Sequence, residues 1–415
     1  MKKIFLLKST LIFLLYTTNC VAQKPLKTGL WDGFLHLNDT TELPFHFEVK
    51  NAKEKLSFEI INAEERIVVD EILLKGDSVI IKMPVFDSEF RCIHTGDSLK
   101  GNWFNHSRKD KNVIPFMAYI SKGVFYAKPT LQNEKLNLLI GRWKCTFSPN
   151  SKDSSLAIGI FKPNKSITTK VAGTFLTETG DYRFLEGDVY EAATFRISCF
   201  DGSHAFLFTG KFISTDSIVG DYYSGAHWHE KWAGQRNEKF ELRNPDSLTY
   251  LKPGFTKIDF NFKNLTGKNV SMSDEKFKNK VVIIQLMGSW CPNCMDETKF
   301  LTPFYDKYKS KGLEVVGLAF EKTDDPKKAT INVIRLKNHF HSNYEFLITG
   351  KTGNDQASEA LPMLNAVMAF PTTIYIDKKG VVRKIYTGFY GPATGTAYSK
   401  YVEQTTMFVE KLLAE

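Results

Sequence analysis

The chain has 415 residues, which exceeds one ordinary core and suffices for about two or three domains of ~100–200 residues each. Hydrophobic residues make up 42% and charged residues 24%, which excludes a wholly disordered chain and a polytopic membrane protein. The formal charge of +9 is spread without a long Lys/Arg block, so we expect no nucleic-acid partner.

Residues 1–22 have the three-part pattern of a secretory signal. A basic start at Lys2 and Lys3 precedes an apolar stretch over residues 4–16, and Ala22 is a small residue at the predicted cleavage site. Cys20 could instead carry a lipid anchor, although the residues before it match a lipoprotein box poorly. In both cases we expect a periplasmic or otherwise exported protein in an oxidising compartment, where cysteine chemistry concerns disulfides.

From residue 24 to about 251 the sequence is typical of β-strands. Short runs rich in Phe, Ile, Val and Thr are broken by Gly, Asp, Asn and Ser, as at residues 45–49, 78–81 and 205–208. The pattern indicates no long amphipathic helix. We therefore expect a mostly antiparallel β N-terminal half.

Short matches indicate that this half is duplicated. Trp31 follows a Gly-Leu pair, and Trp143, 112 residues later, follows a Gly-Arg pair. Asp97-Ser98-Leu99-Lys100-Gly101 recurs 119 residues later as Asp216-Ser217-Ile218-Val219-Gly220, and two further matches lie between these in the same order. The order predicts tandem antiparallel β-domains, built as sandwiches or small barrels, with chance similarity among turns as the alternative.

After a turn-rich linker, strands alternate with helices. Residues 281–284 form an apolar run that suits a strand covered on both faces, and residues 292–311 have helical spacing. Residues 313–320 are a second buried strand, and a last helix carries an apolar stripe from Tyr398 to Leu413. This alternation predicts an α/β domain.

These patterns divide the chain into four segments. They are a signal peptide at 1–22, β-rich domains at 23–135 and 136–250, and an α/β domain at 254–415.

The segment with the clearest chemistry is Gly288-Ser289-Trp290-Cys291-Pro292-Asn293-Cys294, where a buried strand gives way to a helix. Two cysteines on the first turn of a helix can close a reversible disulfide. The positive helix end favours a thiolate at Cys291, which would attack a disulfide, and Cys294 would then resolve the intermediate. Half of a zinc site and a structural disulfide are the alternatives, although a zinc site would need a second ligand pair.

A proline stands at the start of a later strand, in Ala369-Phe370-Pro371-Thr372-Thr373. Cis peptide bonds occur at X–Pro, and proline in a strand indicates an edge or a special turn. A cis bond before Pro371 would turn the Phe370 backbone outward, where it could pair with an extended substrate backbone.

Other candidate sites are weaker. Cys145 and Cys199 lie in the same predicted β-domain and could form a structural disulfide, which the sequence leaves open. His227 and His229 alternate as on a strand and could share a metal ion, but no third ligand is apparent. We expect neither a metal nor a cofactor.

With these motifs in place, the C-terminal third resembles the thioredoxin-like fold and, within it, the TlpA/ResA-like thiol–disulfide oxidoreductases. The resemblance rests on residues 260–282, 290–294, 311–317 and 370–373, and it covers about 160 of the 415 residues. It implies a redox pair at Cys291 and Cys294 and client contacts at Trp290, Pro292, Phe370 and Pro371.

Glu297 matches an acidic residue that lies near the active site in ResA-like members. A partly buried carboxylate one turn after Cys294 could carry its proton as the mixed disulfide resolves. The alternative is a solvated helix residue like the neighbouring Asp296. Thioredoxins of the cytoplasmic type carry a buried Asp where this chain has Gln285, which increases the weight on Glu297.

The sequence therefore predicts an exported thiol–disulfide oxidoreductase that reduces client protein disulfides and is regenerated by an upstream thiol reductant. The alternative is a binding or docking protein whose β-rich half recruits a partner, with the redox domain secondary. A thioredoxin-fold peroxidase is disfavoured, because it needs Thr and Pro where this chain has Gly288 and Ile284.

Overall fold

The computed structural model describes residues 25–52, 55–121, 136–167, 169–190 and 193–415. The predicted signal peptide and Cys20 lie outside the described residues. Among the residues that are described, no helix is long and apolar enough to cross a membrane.

The first sheet consists of nine antiparallel strands. They are β1 (Gly29–His36), β2 (Glu42–Ala52), β3 (Lys55–Asn62), β4 (Glu65–Val69), β5 (Glu71–Lys75), β6 (Ser78–Lys82), β7 (Ser88–His94), β8 (Ser98–Asn105) and β9 (Val113–Ile120). β9 returns to pair with β1, and β4 and β5 form the two edges. Alternating side chains such as Trp31, Phe47 and Phe116 are buried on one face, as in a half-buried antiparallel sheet.

The second sheet closes on itself. Its strands are β10 (Gly141–Phe147), β11 (Ser155–Pro163), β12 (Val171–Thr177), β13 (Gly180–Asp181), β14 (Leu185–Tyr190), β15 (Thr194–Phe200), β16 (Ala205–Ser214), β17 (Ser217–Ser224) and β18 (Trp228–Arg236). β18 pairs with β10, and β11 pairs with both β10 and β12, so closure removes the exposed edges. Its core is aromatic, with Trp143, Phe175, Phe208 and Trp232 buried.

The two sheets share local details. The indole N–H of Trp31 donates to the carbonyl of Lys27 at 3.1 Å, and that of Trp143 donates to the carbonyl of Leu139 at 2.8 Å. β8 begins at Ser98 and β17 begins at Ser217. The two strands have the same order of buried and exposed residues along their length. These equivalences are consistent with a tandem duplication, which stays a prediction.

The C-terminal domain has a seven-stranded sheet in the order β20-β19-β23-β22-β21-β24-β25. The strands are β19 (Asn261–Asn264), β20 (Asn269–Ser271), β21 (Val281–Met287), β22 (Leu313–Ala319), β23 (Glu345–Ile348), β24 (Thr372–Ile376) and β25 (Val382–Thr387). The helices are α1 (Pro292–Tyr308), α2 (Pro326–His339), α3 (Gly353–Ala360) and α4 (Thr396–Ala414). All of β21 is buried, and it pairs in parallel with β22 and antiparallel with β24.

The three parts pack into one body. A continuous apolar cluster joins the first sheet to the C-terminal domain and includes Phe200 and Leu207 of the second sheet. The sheets also exchange polar contacts, since the Ser198 hydroxyl donates to the Pro44 carbonyl at 2.6 Å and the Asn62 amide donates to the Phe200 carbonyl at 3.0 Å. This packing places the β15–β16 end of the second sheet over the start of α1.

Candidate functional site

Cys291 and Cys294 lie on the first turn of α1. Cys291 is the N-cap, and its sulfur accepts the backbone N–H of Cys294 at 3.2 Å. The same thiol donates to the carbonyl of Phe370 at 3.3 Å. Both thiols are free; Cys291 is 6% exposed and Cys294 is not exposed at all. The pair is therefore asymmetric, with only one sulfur within reach of another molecule.

The buried thiol is held in its neutral form. Burial, and then the adjacent sulfur of Cys291, raise the pKa of Cys294 well above its ordinary value. Cys294 must therefore lose its proton to a nearby group before it can act as a nucleophile.

An aromatic surface borders the thiol of Cys291. The Trp290 ring packs edge-on against Phe370 at 5.8 Å between centroids, and its indole N–H donates to the Phe320 carbonyl at 2.9 Å. The Phe370–Pro371 peptide bond is cis and leads directly into β24. Three of the predicted client contacts, Trp290, Phe370 and Pro371, thus surround one thiol.

Glu297 is enclosed one turn further along α1. It has no exposed surface, and its Oε1 accepts hydrogen bonds from the hydroxyls of Thr373 and, at 3.2 Å, Tyr401. Its Oε2 has no hydrogen-bond partner in the described part of the chain. Burial raises the pKa of Glu297 to about 7, so this carboxyl group can bind or release a proton near neutral pH. The alternative of a solvated residue is wrong for Glu297.

Gln285 lies between α1 and the sheet. Its amide nitrogen donates to the carbonyl of Cys294 at 3.3 Å, and its amide oxygen accepts from the hydroxyl of Tyr344 at 3.2 Å. An amide does not titrate, so Gln285 orients the first turn of α1 but cannot carry a proton.

The second sheet covers one side of the motif through Arg183, which follows β13. This side chain is 1% exposed; its Nη1 donates to the Pro292 carbonyl at 3.0 Å and to Asp296 at 2.5 Å. The guanidinium also pairs with Glu65 of the first sheet and lies 3.6 Å from Asp201 of the second. One arginine therefore joins three parts of the molecule at the start of α1, and Pro292 is buried beneath it.

Further hydrogen bonds extend this contact. The Asn293 amide donates to the Asp181 carbonyl at 3.2 Å, and the Asp181 carboxylate accepts the Gly391 N–H at 2.6 Å. The Ser203 hydroxyl donates to the Trp290 carbonyl at 3.0 Å. Polar groups around the motif are thus already bonded to the β-rich half.

The structure corrects one expectation from the sequence and shows the state of two cysteines whose pairing the sequence left open. Asp296 was expected in solvent, yet its side chain is 10% exposed and pairs with Arg183. Burial raises its pKa to about 7 against the opposing charge of Arg183. Cys145 and Cys199 are free buried thiols, not a disulfide, because Cys145 packs against Gly159 whereas Cys199 lies beside Asp201 and Arg183.

Sequence reasoning missed the residues of the β-rich half that reach the site. Arg183 and Ser203 precede Cys291 by about 90 to 110 positions and stand in segments typical of turns. Nothing local distinguishes them from other turn residues, since only the packing of the sheets brings them to α1.

Comparisons with known proteins concern the C-terminal part. The Redoxin family matches residues 253–398. The chain is 29% identical over 154 residues to thiol-disulfide oxidoreductase ResA of Bacillus thuringiensis subsp. konkukian, spanning 37% of this chain and 76% of that protein. It is also 29% identical over 140 residues to ResA of Geobacillus thermodenitrificans, spanning 34% and 72%.

Among solved structures, a putative thiol:disulfide interchange protein DsbE from Chlorobium tepidum matches with 22% identity and a TM-score of 0.30, covering 39% of this chain and 99% of that one. The Redoxin and ResA matches confirm the predicted resemblance and the thioredoxin-like fold of the C-terminal part. The matched family segment begins after both β-sheets.

Proposed function

Because residues 253–398 form a Redoxin domain similar to thiol–disulfide oxidoreductases, we propose that this protein is an exported enzyme that reduces disulfides of periplasmic client proteins. The observation that carries the proposal is the asymmetric thiol pair on the first turn of α1. Cys291 keeps some exposure, whereas Cys294 has none. Export is part of the proposal because residues 1–22 have the pattern of a secretory signal.

The reaction has two exchange steps. The thiolate of Cys291 attacks one sulfur of the client disulfide, forming a mixed disulfide and releasing the other client sulfur, which takes up a proton. Cys294 then loses its proton and attacks the sulfur of Cys291. The Cys291–Cys294 disulfide forms and the client leaves with two thiols, having gained two electrons. An upstream thiol reductant restores the pair.

Glu297 is proposed as the proton acceptor for Cys294. The raised pKa of Cys294 makes a base necessary, and the pKa of Glu297, about 7, suits transfer in both directions near neutral pH. The unpaired Oε2 supplies a free acceptor position within the described structure.

The client backbone is proposed to lie along Phe370 and Pro371. The Phe370 carbonyl is 3.3 Å from the sulfur of Cys291, so a chain paired with this loop would bring its disulfide to the reactive thiol. Main-chain pairing tolerates many client sequences. Pro292 is a weaker candidate for client contact because Arg183 covers it.

The β-rich half is proposed to be two duplicated domains that form part of the redox site. Arg183 and Ser203 bond directly to the backbone of the motif, so the two halves of the protein act together. This arrangement argues against a separate docking module with a secondary redox domain.

The test uses the full chain from residue 23 in an insulin-reduction assay with dithiothreitol as reductant. We expect Cys291→Ser to abolish turnover and Cys294→Ser to accumulate a mixed disulfide that mass spectrometry can identify. Cys92→Ser serves as the control and should keep the wild-type rate, because Cys92 is a buried residue of the first sheet. A Cys291→Ser variant with the wild-type rate would refute the proposal.

A further inference from the structure

Trp290, the residue before the first cysteine of the redox pair, lines a small basic cavity, which we call the basic mouth. It has a volume of about 130 Å³ and lies between the first sheet and the C-terminal domain beside Trp290. Its cationic lining comes from Arg108 and Lys109 of the first sheet and from Lys322 and Lys328 of the C-terminal domain.

We infer that the client segment bound by this enzyme carries a carboxylate side chain next to its reactive cysteine, and that Arg108 and Lys322 bind this carboxylate. The inference rests on the proposed function and specifies the class of client. It concerns the cavity beside Trp290, the residue before Cys291.

The β-rich half restricts access to the reactive thiol. Arg183 and Asp181 cover the side of the motif formed by Pro292 and Asn293. Ser289 and Trp290, which precede Cys291, line the basic mouth together with Ser203 of the second sheet. A client that reaches Cys291 along Trp290 therefore passes the cationic groups.

The cations lie close to the reactive thiol. The Lys322 ammonium is 4.0 Å from the centre of the Trp290 ring. Desolvation and the Arg108 guanidinium lower the pKa of Lys322, whereas a negative charge on Cys291 raises it. These three groups are thus within electrostatic reach of one another, and the positive pair gains from a nearby anion.

The carboxylates in the mouth are already occupied. Glu321 is buried and accepts from the backbone N–H and the hydroxyl of Ser289, both at 2.7 Å. Asp87 pairs with Lys328 at 2.9 Å. The lining therefore has four cationic side chains and two carboxyl groups, which leaves an excess of positive charge.

Arg108 has unused donor capacity. Its Nε is buried without a hydrogen-bond partner in the described structure. The neighbouring Asp110 carboxylate acts on the pKa of Arg108 through its charge but does not bond to this Nε. A buried unpaired donor costs free energy, which an incoming carboxylate would offset with a charge-assisted hydrogen bond.

The size of the mouth limits the ligand. Its volume equals that of about four water molecules in the liquid, so it accepts a single side chain but not a folded surface. An Asp or Glu adjacent to the client cysteine has the required charge and reach. A carboxylate of a small-molecule disulfide has the same chemistry and is separated from it in the test.

The test compares three synthetic peptides that share one intramolecular disulfide and differ only in having Glu, Gln or Lys beside the cysteine. Reduction by the full chain from residue 23 is followed in single turnovers at pH 7, with oxidised glutathione as the small-molecule arm. We expect the Glu peptide to react about fivefold faster than the Gln peptide, with the advantage falling as salt is added.

The variants locate this preference. Arg108→Gln combined with Lys322→Gln should make the Glu and Gln peptides equal, whereas Lys268→Gln, at an exposed lysine in the β19–β20 turn, should leave the preference intact. Lys322→Glu should favour the Lys peptide. The rate with the Gln peptide is the internal reference for each variant. A variant that folds poorly reduces all three peptides more slowly, whereas a change in preference alters the ratio of the rates.

The possible results distinguish failure of this inference from failure of the proposed function. Equal rates for the three peptides in the wild-type chain, still dependent on Cys291, would overturn the inference and leave the proposed function standing. Oxidised glutathione reacting faster than the Glu peptide would overturn the assignment to a peptide segment. If the wild-type chain reduces none of these disulfides in a Cys291-dependent way, the proposed function itself is refuted.

Discussion

Glu297 is a carboxyl group without exposed surface, one helical turn from the buried thiol of Cys294. Replacement by Gln keeps the shape and the hydrogen bond from Tyr401 but removes the proton acceptor. We expect Glu297→Gln to slow the resolving step by roughly tenfold to a hundredfold. We expect stopped-flow rates from pH 5.5 to 8.5 to show an inflection near pH 7 in the wild type and none in this variant.

The control for this change is Glu403→Gln, at an exposed position of α4. It should leave the rate and its pH dependence unchanged. A Glu297→Gln variant with the wild-type pH profile would contradict the assigned role.

The same carboxyl group makes stability depend on pH. Burial raises the pKa of Glu297 from 4.5 to about 7, so the folded chain binds this proton more tightly than the unfolded chain. The contribution is fully present below pH 4.5 and is lost as the pH rises through 7. As the pH is raised from 5 to 8, the melting temperature measured by calorimetry should therefore fall less for Glu297→Gln than for the wild type. Parallel curves would refute this.

Alkylation tests the asymmetry of the thiols. With limiting iodoacetamide, the reduced native chain from residue 23 should be labelled at Cys291 first, because Cys294 has no exposure and burial raises its pKa. Burial also raises the pKa of Cys92 and Cys145 to about 12. Peptide mapping that finds Cys294 labelled before Cys291 would reverse the two roles.

Among the elements, those set by local pattern could be predicted. The start of α2 follows from Asp325 and Pro326, and the Asp325 side chain accepts the Lys327 N–H at 2.9 Å. The helical pattern predicted over residues 292–311 is α1 followed by a 3-10 turn at Lys309–Lys311, and it ends at Gly312, which has φ 101°. The β19–β20 hairpin and α3 were missed, because both are short and mostly polar and give no clear periodicity.

The β12–β13 turn is an element that contacts α1 directly. Gly180 has φ +144°, and a Cβ there would lie 2.0 Å from the side-chain nitrogen of Asn293. Gly180→Ala should therefore break the Asn293–Asp181 hydrogen bond and cost about 1–3 kcal/mol in backbone strain. Hydrogen exchange at the start of α1 and the melting temperature measure the effect.

Gly267→Ala is the matched control for this turn, since Gly267 has φ +85° and nothing lies within 4 Å of its added Cβ. It should lower stability through the backbone alone and leave exchange at α1 unchanged. Equal effects of both variants on α1 would show that the turn does not hold the motif.

At the scale of the whole molecule, Arg183 connects the three parts. Arg183→Gln leaves Asp296, Glu65 and Asp201 without their common cation, and loss of one member of a buried ion pair costs about 3–5 kcal/mol. We expect faster hydrogen exchange in residues 290–297 and faster alkylation of Cys291. Arg183→Lys, which keeps the charge, should restore part of the protection. Unchanged exchange in Arg183→Gln would show that the contact does not hold the parts together.

The covering of the thiol motif by Arg183 could not be predicted from the sequence. The residues of the thiol motif could be found from spacing alone, because two cysteines and a helix start are local features. That Arg183 lies on Pro292 depends on the closure of the second sheet through β11 and β12 and on its packing against the first. Such long-range pairings carry no signature in a single sequence.

The position of Arg183 in the chain also has a consequence for biosynthesis. If the signal at residues 1–22 directs export, the N-terminal end of the chain crosses the membrane first, so Glu65, Arg183 and Asp201 emerge before Asp296 and both β-sheets can fold before the thiol motif arrives. The surface that covers one side of the motif is then complete when the cysteines emerge. Nascent Cys291 and Cys294 dock onto finished structure, which shortens the time during which either thiol can be captured by an oxidant or by a wrong partner.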